Sequence, residues 1–256
     1  MQKHIIRVDS SKCVGCGLCR KDCPENNIAI SGKKAVISTQ DCMKCGHCVA
    51  VCPKAAISMT GYQEKPQELK GVMHLEPEQL LNALRTRRSI RHFKKQVIEP
   101  EILNQIIEAG RVTPTAKNAQ DVSYIVLGEK KGQMERIAVS FFRKLMPLAS
   151  LVYPAAKRVA IDDDFFFKKA PSAIVILSKN EIDGSLAASN MALMAEAYGL
   201  GVLYSGFFTM AANHCGSLRR ALGIKKNRAV TTLVLGYPNI TYHRTPQREA
   251  AVVKCL

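Results

Sequence analysis

Residues 13 to 24 read CVGCGLCRKDCP and place four cysteines within twelve residues of a 256-residue chain that has ten in all. Such a cluster is either a disulfide staple or a metal site. A chain of this length buries a proper core without disulfides, so the composition favours metal ligation in a reducing compartment. The sequence has no membrane-length apolar run, and its N-terminus lacks the apolar segment of a secretory signal. We therefore expect a cytoplasmic protein that does not engage a membrane.

The pattern returns 29 residues later as CMKCGHCVAVCP, residues 42 to 53, so the segment is an internal duplication. The spacing C-x-x-C-x-x-C-x-x-x-C-P, given twice, is that of bacterial ferredoxins, in which the fourth cysteine of each motif ligates the other cluster. Zinc ribbons, the alternative, use two separated C-x-x-C knuckles without a third cysteine two residues on. The sequence thus predicts two [4Fe-4S] clusters, one on Cys13, Cys16, Cys19 and Cys52, the other on Cys42, Cys45, Cys48 and Cys23.

The remaining candidate ligands do not fit this spacing. His47 lies between two cysteines of the second motif and is expected to be a bystander. Cys215 and Cys255 stand apart from the repeat and are expected to be ordinary thiols.

The formal charge is +16, which raises nucleic acid as a partner. Two oxidised clusters with their thiolate ligands would lower the net charge to about +12. No basic run of five or more residues and no nucleic-acid motif occurs, and aromatic residues are only 6%. We expect no nucleic acid, and instead an acidic redox partner or an anionic cofactor.

Beyond the repeat the pattern changes. Residues 61–80 mix glycine, proline and charge and are expected to link a domain at 1–60 to one at 81–256. A helix is predicted from Pro100, and another from near Asp183 to Gly199 with Leu186, Met191, Met194 and Ala195 on its buried side. Short apolar strands are predicted at 123–128, 172–177 and 231–238. Alternating helices and strands indicate an α+β or α/β domain with a central sheet.

Four segments in this region resemble the nitroreductase family in their order. They are RRSIRHF (87–93), TPTAKNAQ (113–120), GLGVLYSGFF (199–208) and GYPNITYHRTPQRE (236–249). The resemblance implies an FMN-dependent homodimer with a helix-flanked sheet. The overall fold class expected is therefore α+β, a two-cluster ferredoxin-like module followed by a nitroreductase-like domain.

The resemblance also implies the flavin-binding residues. A cationic patch with a hydroxyl donor suits the FMN phosphate, and the partner subunit would contribute the asparagine turn across the dimer interface. The backbone of Gly206 would approach the flavin closely, and two arginines of the tail would close over the phosphate. The implied set is Arg87, Arg88, Ser89, Arg91, Thr115, Lys117, Asn118, Tyr204, Ser205, Gly206, Arg244 and Arg248.

The chain departs from the family after Gln120, where Asp121 and Val122 stand in place of a Pro-Trp pair. No G-x-G-x-x-G follows a strand and opens a helix, so no dedicated NAD(P)H domain is expected. No side chain is identified as a catalytic proton donor.

Three functions remain open from the sequence. In the first, an external ferredoxin or flavodoxin reduces the clusters, and FMN then reduces a nitroaromatic, a quinone or an activated alkene. In the second, the flavin oxidises a substrate or NAD(P)H and electrons leave through the clusters. In the third, the protein is a non-enzymatic electron carrier or redox sensor.

Overall fold

The structure is a computed structural model and describes residues 4–62, 64–69, 71, 74–152, 154 and 158–256. The chain forms two compact units. The N-terminal unit contains the residues up to His74 together with Thr115–Ala119, and the C-terminal unit contains Leu75–Pro114 and Gln120–Leu256.

The N-terminal unit consists of two antiparallel sheets of two strands each and two single-turn helices. Strand β1 (Ile6–Val8) pairs antiparallel with β4 (Ile57–Met59), and β2 (Ile28–Ser31) pairs antiparallel with β3 (Lys34–Ile37). Helices α1 (Leu18–Lys21) and α2 (His47–Ala50) each contain the third cysteine of a motif, Cys19 and Cys48. Helix α2 and strand β4 begin 29 residues after α1 and β2, so the sequence repeat is also a structural repeat.

The turns inside the two cysteine motifs share a left-handed backbone. Gly17 and its counterpart Gly46 have φ of 78° and 75°. At Gly15, where φ is 68°, a Cβ would lie 2.3 Å from the carbonyl oxygen of Lys33, so only glycine fits there. Its counterpart is Lys44, with φ of 56°. The two motifs therefore have similar backbones but different surroundings.

The C-terminal unit is built on a four-stranded antiparallel sheet in the order β5-β6-β8-β7. The strands are β5 (Ser123–Leu127), β6 (Ser172–Ser178), β7 (Gly201–Tyr204) and β8 (Arg228–Gly236). Strands β5 and β6 match the predicted runs 123–128 and 172–177 to within one residue, whereas β8 begins three residues before the predicted run 231–238 and ends two residues before its end. Every residue of β6 is buried, as expected for a central strand covered on both faces.

Helices cover both faces of this sheet. They are α4 (Pro100–Arg111), α5 (Lys131–Val152), α6 (Glu181–Ala197), α7 (Gly206–His214) and α8 (Gly216–Ala221). Helix α3 (Pro77–Thr86) precedes them and has no buried residue. Ile106 of α4 and Met191 of α6 belong to one buried cluster, whereas Phe142 of α5, Phe208 of α7 and Leu218 of α8 belong to the other. The predicted α+β class is confirmed. No helix in the described part of the chain combines the length and the apolar character needed to cross a membrane.

Two details differ from the sequence predictions. Leu186 was predicted on the buried side of α6 but is 48% exposed, because the buried stripe of this helix runs through Ala187, Ala188 and Met191 and leaves position 186 outside it. Helix α3 begins at Pro77, inside the stretch 61–80 predicted as a linker, because a proline in the first turn favours a helix start.

Candidate functional site

Two cavities in the N-terminal unit are lined by thiols. The first is lined by Cys13, Cys16, Cys19 and Cys52. The second is lined by Cys23, Cys42, Cys45 and Cys48. Each cavity thus combines three cysteines of one motif with the fourth of the other, which are the two sets that the repeat predicts.

The thiols stand around a volume rather than converging on one point. Among the residues that the structure describes, no three His, Cys, Asp or Glu side chains are placed to hold a single metal ion. A zinc ribbon brings four ligands to one ion, whereas an iron-sulfur cubane is held at its corners. The arrangement therefore fits a cubane in each cavity better than zinc.

Backbone amides point at several of the sulfurs. The N–H groups of Ala35, Lys44 and Ala56 donate to the Sγ atoms of Cys13, Cys42 and Cys52 over 3.4, 3.4 and 3.3 Å. The bond from Ala35 is the main reason that the pKa of Cys13 lies below its ordinary value. Such bonds stabilise thiolates, which are the form that ligates iron.

Burial acts in the opposite direction at the deeper ligands. It raises the pKa of Cys19, and burial together with the neighbouring Cys42 raises the pKa of Cys48 to about 11. Four thiolates crowded in one cavity are unfavourable without a compensating cation. A bound iron-sulfur group would supply that charge.

His47 has a different partner. Its Nδ1 lies 3.3 Å from Oδ2 of Asp22, and both side chains are about half exposed. His47 also lines the second cavity, so its role as a bystander stays a prediction.

In the C-terminal unit, the RRSIRHF segment lies along the edge of the sheet. Ser89 forms a parallel bridge with Val202 of β7, and the N–H of Ile90 donates to the carbonyl of Val202 over 3.0 Å. Further along, Phe93 bridges Pro238, just beyond β8. These backbone bonds fix Arg87, Ser89 and Arg91 beside the strand that leads to Tyr204.

Arg87 is half-buried and its Nε–H has no hydrogen-bond partner. A buried donor without an acceptor is costly, so this N–H is available to an acceptor on a bound group. The Oε1 atom of Glu196, at the end of α6, is also buried without a hydrogen-bond partner. Burial raises the pKa of Glu196 and the charge of Arg87 partly opposes that rise. The guanidinium fits an anionic ligand such as a flavin phosphate.

Tyr204, Ser205 and Gly206 form the junction between β7 and α7. Tyr204 donates its hydroxyl to the carbonyl of Ala188 over 3.2 Å, and Ser205 donates its own to that of Phe166 over 3.0 Å. Both hydroxyls therefore anchor the junction. A Cβ built on Gly206 meets no protein atom within 4 Å, so this backbone faces open space that suits the close approach of a ring.

The tail residues lie at the surface. The guanidinium carbon of Arg88 stands 5.7 Å from the centre of the Tyr242 ring, which brings the start of the tail to the RRSIRHF segment. Arg244 and Arg248 are exposed.

The predicted asparagine turn belongs to the N-terminal unit. Lys117 and Asn118 have φ of 52° and 51°. The Nδ2 of Asn118 donates to the carbonyl oxygens of Met43 and Lys44, over 3.2 and 3.0 Å. Tyr62 donates to the same Lys44 oxygen over 3.1 Å. Thr115, Lys117 and Asn118 are thus placed with the second cysteine motif, whereas the other predicted flavin residues are in the C-terminal unit.

Sequence reasoning missed Glu196 and Tyr62. Both are polar residues in ordinary surroundings, and no local pattern marks them. An acidic residue at the end of a largely apolar helix was the one available signal for Glu196, because it departs from the preference for basic residues there.

Comparison with known proteins agrees with this geometry. A profile described as the nitroreductase family matches residues 84–237, and one described as a 4Fe-4S dicluster domain matches residues 5–53. The chain is 29% identical over 163 residues to an Archaeoglobus fulgidus protein and 25% identical over 177 residues to one from Methanothermobacter thermautotrophicus. Both are provisionally named NADH dehydrogenase/NAD(P)H nitroreductase. These alignments cover 63% and 67% of this chain and 86% of each relative.

Among solved structures, the fold is similar to that of a nitroreductase with bound FMN from Bacteroides fragilis. The TM-score is 0.58 at 16% identity, covering 69% of this chain and 98% of that one.

Proposed function

Because the chain belongs to the nitroreductase family, we propose that it uses two [4Fe-4S] clusters and FMN to reduce a small organic acceptor with electrons from an external low-potential donor. Family membership makes the chain an oxidoreductase, and the separate match at residues 5–53 gives it a 4Fe-4S domain, so the non-enzymatic alternative is set aside. The observation that carries the proposal is the presence, in one chain, of two four-thiol cavities and of a family motif in which the Nε–H of Arg87 is buried without a hydrogen-bond partner.

Bound FMN would supply the conversion between single electrons and the two-electron reduction of an organic molecule. The residues of the chain would hold it. Arg87, Ser89 and Arg91 would bind the phosphate, Arg88 would reach the ring edge, and Gly206 would allow the ring to approach the backbone. Tyr204 and Ser205 would keep the junction rigid through their hydrogen bonds to Ala188 and Phe166. Arg244 and Arg248 would cover the phosphate.

The proposed assembly is a homodimer with FMN at the interface. In it Thr115, Lys117 and Asn118 complete the flavin site of the other subunit. The donor is an acidic ferredoxin or flavodoxin, and the acceptor is a nitroaromatic, a quinone or an activated alkene. The formal charge of +16 supports an acidic donor.

The proposal is tested by rapid mixing under anaerobic conditions. Dithionite-reduced clusters should pass electrons to bound flavin, with cluster and flavin absorbance followed separately. Clusters that stay reduced beside oxidised flavin would refute it. Fully reduced protein is then screened against candidate acceptors.

A matched pair of variants tests the flavin position. Gly206→Ala should leave folding unchanged, because the added Cβ meets no protein atom, but should weaken FMN binding about tenfold or more by obstructing the ring. Gly128→Ala, which also meets nothing within 4 Å, is the control. Equal FMN affinity in both variants would argue against a flavin at Gly206.

The names of the archaeal relatives support a second candidate, in which the flavin is reduced by NAD(P)H and electrons leave through the clusters. Titration with NAD(P)H without any ferredoxin separates the two. Fast flavin bleaching would favour this second direction.

A further inference from the structure

The two cysteine motifs share a backbone but carry opposite charges at equivalent positions. Lys12, which precedes the first cysteine of motif one, corresponds to Asp41 in motif two. Lys54, which follows the Cys52-Pro53 pair and lines the first cavity, corresponds to Glu25. All four side chains belong to exposed residues. At these two pairs of positions the duplication therefore places cations at the motif of the first cavity and anions at the motif of the second, while Lys44 inside the second motif has the uncharged Gly15 as its counterpart.

The helices of the two halves differ in the same sense. Helix α1 carries exposed Arg20 and Lys21, whereas α2 has Val49 and Ala50 at the equivalent positions. Within the first half, Asp9 lies 3.7 Å from Lys12 and offsets part of its charge, through an exposed pair that is weak in water. The surroundings of the first cavity remain more basic than those of the second.

The first cavity also has the more accessible and more apolar mouth. Its ligand Cys16 is exposed, and the neighbouring Val14 and Leu18 are 58% and 42% exposed. The equivalent Cys45 and Met43 of the second motif are only partly exposed, and His47 replaces Leu18. The main chain beside the second motif is covered in addition by Asn118 and Tyr62, which bond to Lys44.

An apolar centre with a charged rim is the usual anatomy of a transient protein-protein contact, and complementary charge sets the encounter rate. We propose that the docking surface for an acidic one-electron carrier protein is the first-cavity face, formed by Lys12, Val14, Leu18, Arg20, Lys21 and Lys54. The carrier binds over the Cys16 side and not over the second motif. This inference rests on the proposed function for the existence of a carrier, and it assigns the place where that carrier binds.

The test is a binding measurement on the full-length holoprotein that needs no flavin chemistry. The probe is a fluorescently labelled, oxidised acidic [2Fe-2S] ferredoxin, and its anisotropy is followed at low salt. Lys12→Glu/Lys54→Glu should raise its Kd about tenfold and flatten its salt dependence. Lys225→Glu/Lys226→Glu changes the net charge equally at exposed positions of the C-terminal unit and should change the Kd by about twofold at most.

The repeat itself supplies the decisive comparison. Glu25→Lys/Asp41→Lys adds equal charge beside the second cavity and should tighten binding by about twofold at most. Equal losses in the Lys12/Lys54 and Lys225/Lys226 variants would overturn the proposal, because charge alone would then explain the binding. A large gain in the Glu25/Asp41 variant would overturn it too, by moving the contact to the second cavity.

The same face could instead join two copies of this protein. The proposal would be overturned if the protein's mass in solution increased without any carrier and the Lys12→Glu/Lys54→Glu variant abolished that increase. Iron content and visible absorbance show that each variant keeps its clusters. Failure of electrons to reach FMN would refute the proposed function while leaving these binding results unchanged, so the two failures are distinguishable.

Discussion

Gly201, the first residue of β7, lies against Ile90 of the predicted phosphate-binding segment. A Cβ at this position would lie 2.4 Å from Cγ1 and 2.8 Å from Cβ of Ile90, a side chain that is itself buried between Ser89 and Arg91. Ordinary carbon contacts are about 3.5–4.0 Å. The alanine variant must therefore push Ile90, and the segment that carries it, away from β7 by about 1 Å.

Overpacking of this size costs about 1–3 kcal/mol. If the cost appears at the flavin site, the Kd for FMN should rise about 5- to 150-fold in Gly201→Ala. The effect should be smaller for riboflavin, because riboflavin lacks the phosphate that Arg87 and Ser89 are proposed to bind. The measurement is titration of the deflavinated protein with each ligand, with thermal unfolding recorded in parallel.

A double-mutant cycle isolates the contact. Ile90→Ala alone should cost about 2–5 kcal/mol through the cavity it leaves. It also removes two of the three atoms that the new Cβ would meet, so the double variant should cost less than the sum by at least about 0.5 kcal/mol. Strictly additive costs, or a folded Gly201→Ala protein with unchanged FMN affinity, would refute the reasoning.

Three further outcomes are expected. In EPR spectra of the reduced protein, Cys23→Ser should perturb the same signal as substitutions of the first three cysteines of the second motif. Cys52→Ser should perturb the same signal as substitutions of the first three cysteines of the first motif. The reverse pairing would exclude ligation of each cluster by both motifs. Glu135→Ala removes the acceptor of two buried backbone N–H groups, bonded over 3.0 and 2.8 Å, and should cost about 2–3 kcal/mol by calorimetry. Glu135→Gln keeps an acceptor oxygen and should cost less. Burial raises the pKa of Glu196 in the folded protein, so the folded state favours the protonated carboxyl. The wild-type protein is therefore most stable below the pKa that Glu196 has in the unfolded chain, and it loses this stability as the pH rises through the pKa of the folded state. The melting temperature of Glu196→Gln relative to wild type should therefore increase as pH rises above the ordinary glutamate pKa, and a constant difference would contradict this.

The cysteine sites and most of the sheet could be predicted because their signals are local. The spacing of the metal ligands can be recognised within twelve consecutive residues. Runs of β-branched apolar residues identify β5, β6 and β8 without knowledge of the strands beside them. Strand β7 is harder to recognise, because it begins at Gly201, a residue that weakens a strand in isolation.

Other features depend on tertiary structure and have no local signature. The rotation of α6 about its axis decides that Leu186 is exposed, and a mostly alanine stripe defines its buried face. The bond from Asn118 to Lys44 joins residues 74 positions apart. The close approach of Gly201 to Ile90 is likewise visible only when the edge segment lies beside the strand.

The hydrogen bonds that Asn118 and Tyr62 donate to the Lys44 carbonyl cannot all form at the same stage of synthesis. On the ribosome, both cysteine motifs and Tyr62 emerge before Asn118 has been translated. The loop of the second motif therefore acquires its last hydrogen bonds only when part of the downstream domain has been synthesised. A fragment cut at residue 74 would contain all eight cysteines of the two motifs yet lack the hydrogen bonds from Asn118, so the boundaries of the iron-binding module along the chain are not its boundaries in space.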